Sequence, residues 1–334
     1  MMYPTCIIVL CTISVIIANG QPTGIQEPNM DDFRSWEHDN GKQYTHTEER
    51  NRYSIYVSNS KTVQRLNSAS RYAVFGLNKF ADLSEREFED LYLHGVASNA
   101  AVHSFRTDNQ TDTGGRLRTS GPVNLSYMLP AVKDQGHCGS CWAFSAVGNM
   151  EAQTYQRNGG HVVSLSEQQL VSCEKIDHAC NGGWMTNADA YALRTGMVST
   201  ASMPYTSTYG VVSRCPSRLP AIAARYRSAV NFGKVAADMM LMSYMSSYGP
   251  LSLALSAGTS YFQYYRSGIM NNASMCGRTL NHAVVLVGYG TASNVNYWLL
   301  RNSWGRSWGE AGYFRLARGI DMCGMNDAVS TIVA

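Results

Sequence analysis

Neither sign of charge dominates this 334-residue chain. It has 27 Lys and Arg against 24 Asp and Glu, and the formal charge of +3 is too small to argue for a nucleic-acid partner. Long apolar runs are missing as well. Cys6 to Ala18 (CIIVLCTISVIIA) is thirteen residues, short of the roughly 20 that cross a bilayer, and no later segment is long and apolar enough to span. No internal repeat recurs, which sets aside repeat architectures. What is present is ordinary globular composition, 45% hydrophobic and 15% charged, ample for a sizeable core in a chain longer than one typical domain.

The apolar run ends in Ala18-Asn19-Gly20, small residues suited to cleavage. Residues 1–20 are expected to be a signal peptide, although no Lys or Arg precedes the run. Its removal takes away Cys6 and Cys11 and leaves seven cysteines: Cys138, Cys141, Cys173, Cys180, Cys215, Cys276 and Cys323. Six can pair, in any of fifteen connectivities, and one is left over. An odd thiol in an exported chain is an intermolecular partner or a reactive group, and disulfides belong to an oxidising route. Sequons at Asn109, Asn124 and Asn272 suit that route as glycosylation positions.

Residues 135–142 read QGHCGSCW and lead into the helical pattern WAFSAVGNMEAQTY. Cys141 therefore stands where unpaired backbone N–H groups and the helix dipole favour an anion. A thiolate is such an anion, and a helix N-terminus with a cationic imidazole nearby lowers a thiol pKa from about 8.5 to roughly 3.5–7.5. Two cysteines three apart could equally serve a disulfide or half a zinc site. Two downstream motifs change that balance. His282 opens the apolar run HAVVLVGYG, 141 residues after Cys141, and Asn302 ends the run YWLLRN, 161 residues after it. Cys, His and Asn supply a nucleophile, a proton carrier and a group that orients the imidazole. With Gln135 ahead of the cysteine and Trp304 after the asparagine, the set resembles the papain and cathepsin family of cysteine proteases.

That resemblance implies an α+β, papain-like two-domain fold: a helical left domain and an antiparallel, β-barrel-like right domain, with Cys141 and His282 on opposite walls of the cleft between them. It implies a thiolate–imidazolium pair oriented by Asn302. The Gln135 side-chain amide and the Cys141 backbone N–H would donate to the developing oxyanion, each worth about 2.7–4 kcal/mol. Trp304 would shield the His–Asn hydrogen bond, whereas Trp308 reads as core. Disulfides Cys138–Cys180, Cys173–Cys215 and Cys276–Cys323 follow from the same likeness. So does a substrate shelf of Gly139, Gly182 and Gly183, where absent side chains let an extended peptide approach the backbone. The pocket for the residue two places before the cut would have walls of Met185, Ala254, Leu280 and Ala283, with Trp184 and Asn281 at its border. Its base would be Ala328, beside Asp327. An apolar base favours Leu, Phe or Val and disfavours Arg. No metal or other cofactor is implied. The partners are protein and peptide substrates and the chain's own propeptide, and the enzyme is taken as a monomer with no stable membrane span.

Upstream, Glu48, Arg52, Tyr56, Asn59, Val63 and Asn67 fall at spacings of three and four along one helical stripe. They match the ERFNIN pattern with Tyr for Phe and Val for Ile, and Gly76, Asn78, Phe80 and Asp82 match G-x-N-x-F-x-D. The pair looks like the inhibitory propeptide of cathepsin L-like proteases. Residues 21–118 are thus read as a mainly helical propeptide with its linker, the Ser, Asn, Thr and Gly-rich stretch 97–121, and residues 119–334 as the mature domain. Residues 21–116 carry 11 Lys and Arg against 14 Asp and Glu, and residues 117–334 carry 16 against 10. A −3 part and a +6 part attract near neutrality and less so in acid, which offers a route to acid release. One departure from the family pattern is Leu125-Ser126-Tyr127, where an aspartate-tryptophan-arginine run is usual.

Within the mature part, Gly159-Gly160 closes the catalytic helix, Ser166 and Gln169 have capping-box spacing for a second, and Asn187 to Leu193 reads as a third. From about residue 226 onward the runs PLSLALS, HAVVLVGYG, NYWLLRN and GYFRLAR read as strands. These features point to a secreted or lysosome-type cysteine endopeptidase made as a zymogen. Neither a His-His occluding loop nor a retained propeptide strip is present to make it an exopeptidase. An exported metal-binding or adhesive protein, and an inhibitor-type binding protein, have no use for the complete Gln, Cys, His and Asn set.

Overall fold

The computed structural model describes residues 27–93, 96, 121–277 and 279–334. The signal peptide, Asn109 and the expected 118/119 boundary lie outside the described residues. The prosegment holds α1 (Met30–Asp39), α2 (His46–Ala69), β1 (Ala73–Phe75) and α3 (Glu85–Tyr92). After it come β2 (Val123–Asn124), α4 (Cys141–Arg157), α5 (Glu167–Cys173), α6 (Met185–Thr195), β3 (Met197–Val198), β4 (Ile222–Ala224), β5 (Ser228–Gly233) and α7 (Asp238–Tyr248). The remaining chain forms β6 (Leu251–Leu255), α8 (Ser260–Gln263), β7 (Tyr265–Met270), β8 (His282–Ala292), β9 (Val295–Arg301), β10 (Tyr313–Ala317) and β11 (Val329–Val333).

Local chemistry starts the prosegment helices: Asn29 caps α1 with Asp32, and Ser84 caps α3 with Glu87, each as a reciprocal pair. On α2 the stripe does more than supply an apolar face. Tyr56 joins Phe33 and Trp36 in an aromatic core. Asn59 donates to the carbonyls of Ala81 and Leu83, both at 2.9 Å, and Asn67 exchanges two hydrogen bonds with the Phe75 backbone at 2.8 and 2.9 Å. The amides thus satisfy backbone groups of the strand and turn that cross the helix, where no ladder partner is available. Asp82 accepts from Lys42 and Tyr44, and Arg52 donates to the Asp82 carbonyl at 3.0 Å and to Glu87 at 2.8 Å.

This prosegment does not stand apart from the rest. β1 pairs with β7 and becomes the edge of a sheet ordered β1-β7-β10-β9-β8-β6-β11-β5, with β2 attached to β8. Val63, Phe75, Phe80 and Phe88 share one buried cluster with Phe262, Trp304 and Trp308 of the following domain. The β half is mixed, since β10 runs parallel to β7 although its other pairings are antiparallel. It also contains α7, whose Leu241, Met242 and Met245 turn inward at helical spacing before Gly249 ends the helix at φ 88°. In α5 only half of the capping box forms: Ser166 accepts from the Gln169 N–H, while the Gln169 side chain turns to Gly196 and Val198.

The helical half is built on α4. Its residues from Cys141 through Thr154 are all buried because it lies between α5, α6 and the strands β6, β8 and β11. A Cβ at Gly148 would come within 2.7 Å of Val285, so the glycine permits the close approach of α4 to β8. Ser145 on α4 donates to the Val284 carbonyl on β8 at 2.6 Å, which fixes the helix against the strand. The departure at Leu125-Ser126-Tyr127 leaves this segment docked: Leu125 N–H donates to Val287 O at 2.8 Å, and Arg301 donates to Pro130 O and Ala131 O at 3.1 and 2.7 Å.

Candidate active site

Cys141 is the first residue of α4 and the one free cysteine among the described residues. The other six pair as Cys138–Cys180, Cys173–Cys215 and Cys276–Cys323. One of these bridges holds the ground around the thiol. Cys138–Cys180 ties the loop before α4 to the glycine shelf, where Gly139 N–H also donates to Cys180 O at 2.8 Å. Gly182 takes φ 107°, a conformation that side chains resist, and a Cβ on Gly183 would lie 2.7 Å from Asp177 and from Trp142. Packing thus demands the second glycine, whether or not a peptide lies on it.

His282 begins β8, and register brings it to the thiol: the N–H of the next residue, Ala283, donates to Cys141 Sγ at 3.2 Å. Asn302 follows β9, the strand beside β8, and its Oδ1 lies 2.7 Å from His282 Nε2. The other ring nitrogen, Nδ1, is buried and has no hydrogen-bond partner among the described residues. Trp304 stacks on the imidazole with ring centroids 4.6 Å apart and is itself wholly buried. Trp308 crosses Trp304 at 4.9 Å and donates to Phe262 O at 3.0 Å, a core position.

Gln135 is fully buried, and every polar atom of its amide is engaged. Its Oε1 accepts from Ser303 Oγ at 2.6 Å, and its Nε2 donates to Cys138 O at 2.9 Å and to Tyr92 O at 3.2 Å. The last contact matters most, because Tyr92 belongs to the prosegment: a prosegment carbonyl takes the amide N–H expected to serve the oxyanion. Ser303 also donates its N–H to Asn302 Oδ1 at 2.8 Å, and Tyr205 OH donates to Gln135 O at 2.8 Å. Ser303 was legible as the neighbour of Asn302, whereas nothing local marks Tyr205.

Burial opposes charge on both reacting groups in this covered state. It pushes the Cys141 thiol up to about 12, against the lowering effect of the N–H groups of Ala283, Trp142 and Cys141, and pushes the His282 imidazole down to about 4, against Asn302. The thiolate–imidazolium pair expected from the sequence needs the reverse shifts, and burial works against them in the prosegment-covered site. Iodoacetamide should accordingly modify Cys141 in the precursor at least about 100-fold more slowly at pH 7 than in matured protein, with a rate still climbing above pH 9. A precursor rate that has levelled off by pH 7 would contradict the neutral thiol.

Of the expected pocket residues, Met185, Ala254 and Ala283 are buried in one apolar cluster with Cys141, and Leu280 and Ala328 pack against it. Trp184, Met185, Asp327 and Ala328 border a cavity of about 190 Å³ together with Thr186, Asn231, Gly233, Val329 and Ser330, whereas the expected walls Ala254, Leu280 and Ala283 do not line it. Asn281 instead accepts from Ala257 N–H at 2.9 Å, shaping the loop ahead of His282. Asn124 and Asn272 are exposed. Among the described residues no cluster of His, Cys, Asp or Glu is placed to hold a metal ion, and no helix is long and apolar enough to cross a membrane.

Comparison with known proteins agrees with this geometry. Residues 123–333 match the papain family cysteine protease model and residues 33–88 the cathepsin propeptide inhibitor domain. A cysteine proteinase of Trypanosoma brucei brucei is 37% identical over 305 residues, covering 90% of this chain and 66% of the relative, so the chain spans just under two thirds of that protein. Cysteine proteinase 1 of Dictyostelium discoideum is 33% identical over 356 residues, covering 98% of this chain and 99% of the relative. Among solved structures, the digestive procathepsin L2 proteinase of Tenebrio molitor larval midgut superposes with a TM-score of 0.81 at 29% identity, covering 91% of this chain and 99% of that one. With its prosegment folded over a buried cysteine, histidine and asparagine, the chain belongs to the papain family of cysteine proteases.

Proposed function

We propose that this chain is the precursor of a cysteine endopeptidase that hydrolyses peptide bonds through Cys141, His282 and Asn302. The observation that carries the reading is the junction of α4 and β8, which sets the residue after an Asn302-held histidine against the Cys141 sulfur. Once the prosegment leaves, water and the mutual attraction of the two groups replace desolvation, and the proton moves from sulfur to imidazole. The thiolate then attacks the carbonyl carbon, the C–N bond breaks, and His282 returns its proton to the leaving amine. Water, activated by the imidazole, releases the acyl group and restores the thiol. Gln135 Nε2, freed from Tyr92, and the Cys141 N–H stabilise the oxyanion.

The same reading makes the 190 Å³ cavity the site for the residue two places before the cut. Its Met185 and Ala328 surfaces suit Leu, Phe or Val. Asp327 also borders it, held by Lys234 at 2.6 Å, so its charge is already paired and an entering arginine must displace that lysine. A positional-scanning peptide library at pH 5.5 tests this directly. Leucine or phenylalanine should outrank arginine by about tenfold or more, and equal ranking would sink the assignment. Export through the secretory pathway to an acidic lysosome-like compartment or outside the cell, with propeptide removal in acid, completes the proposal.

A further inference from the structure

Asp189 is a buried acid that the proposed chemistry does not use. It lies on α6 four residues after Met185, one helical turn below it on the same face, and it is wholly inaccessible to solvent. Across from it Ser330, two residues after Ala328, donates Oγ to Asp189 Oδ2 at 3.3 Å. Met185, Ala328 and Ser330 all border the 190 Å³ cavity, so the Asp189–Ser330 contact is the layer beneath the cavity floor. The second oxygen, Oδ1, has no hydrogen-bond partner among the described residues.

Among the described residues no cation faces this carboxyl. The elements packed on α6 are α4, β5 and β11. β11 offers only the Ser330 hydroxyl. The chain entering β5 brings Tyr226, whose phenol binds Thr154 and Met150 O and is pushed above its ordinary range by burial first and then by Glu151 and Asp189. Glu151 on α4 is tied to Lys133 at 2.7 Å. A buried carboxylate with one hydroxyl partner and no counter-charge is expensive, and the neutral acid is the form this site accommodates.

We propose that Asp189 is a positioning residue that, as the neutral acid, lets α6 pack dry against β11 and so holds the pocket between Met185 and Ala328, and that loss of its proton leaves a buried charge without a counter-ion and loosens this floor despite the Ser330 hydrogen bond. The inference rests on reading that cavity as the substrate pocket. Burial, eased slightly by Ser330, moves the folded-state value from the ordinary 3.8 up to about 8. The folded chain then holds a proton that the unfolded chain has lost between those values. Stability from this group therefore falls as pH rises from about 4 to about 8, by up to about tenfold in the unfolding constant per pH unit, and levels above.

The test is urea unfolding of the full-length Cys141→Ala precursor from pH 5 to 8, with and without Asp189→Asn, beside the pH profile of KM, measured on matured enzyme that keeps Cys141, for a peptide with leucine two places before the cut. Asp189→Asn should reduce the pH dependence of unfolding by one proton and remove a rise in KM of several-fold above pH 8, leaving the kcat profile alone. Ser330→Ala withdraws the hydroxyl that favours the anion and should move the KM break to higher pH, which also serves if the asparagine variant does not fold. An unchanged unfolding slope in Asp189→Asn overturns the proposal, as does a lost slope with an unchanged KM profile. A lost slope with no apolar preference in the peptide library overturns the pocket assignment instead.

Discussion

Cys141→Ala is expected to abolish peptide hydrolysis, a loss on the order of a million-fold in kcat, while the precursor still folds and keeps its prosegment docked. The loss is large because the sulfur is the atom that forms the covalent bond, and no other group in the site can replace it. The fold survives because the substitution removes one atom from a helix held by Ser145 to Val284 and by the neighbouring disulfide Cys138–Cys180. A stability decrease of about 1 kcal/mol is in line with such a truncation. His282→Ala should be almost as damaging. Asn302→Ala should be milder, because Trp304 still stacks on the ring and limits its rotation. Assay of matured variants against a fluorogenic peptide measures all three, and turnover above background in Cys141→Ala would end the proposed mechanism.

Truncating Phe80 to alanine should open the site without touching it. Phe80 is fully buried, with Phe88 at 5.0 Å, Tyr92 at 4.7 Å and the indole of Trp304 at 5.6 Å between ring centroids. Losing a buried Phe side chain costs about 3–5 kcal/mol, and the share realised against Trp304 weakens docking by about two powers of ten. Labelling of Cys141 in the intact precursor by a thiol-directed affinity reagent at neutral pH should rise by that factor, and an unchanged rate would mean that this aromatic wedge does not hold the prosegment closed. Charge contributes less than the −3 and +6 division of the sequence suggests. The one ion pair that crosses the boundary among the described residues is Lys79–Asp134, at 2.5 Å, and there the prosegment supplies the positive member. Salt and acid should therefore modulate labelling by smaller factors than the Phe80 change.

The sequence by itself determined the chemistry-bearing set and most of the local structure. Cys141, His282 and Asn302 sit in runs whose apolar periodicity and glycine punctuation place them on a helix start, a strand start and a strand end, signals that span only a few residues. The seven cysteines announced one odd thiol, and the spacing of Tyr56, Asn59 and Val63 announced the long prosegment helix. α7 carries its own helical signal in the inward period of Leu241, Met242 and Met245, within an otherwise β-rich half.

Only the tertiary structure decided what covers the site and what charge it can bear. The bond from Gln135 to Tyr92 O joins residues 43 positions apart, and the Asn78 side chain reaches Gln263 O across 185. No local pattern encodes such pairs, since they exist only after the sheet has brought β7 to β1. The same holds for Asp189: in the sequence it is one more polar residue on a helix, and its meaning comes from the layers of α4, α6 and β11 that remove its water. Burial belongs to the assembled fold rather than to a residue, so the upward push on the thiol and the Asp189 carboxyl and the downward push on the imidazole come from packing.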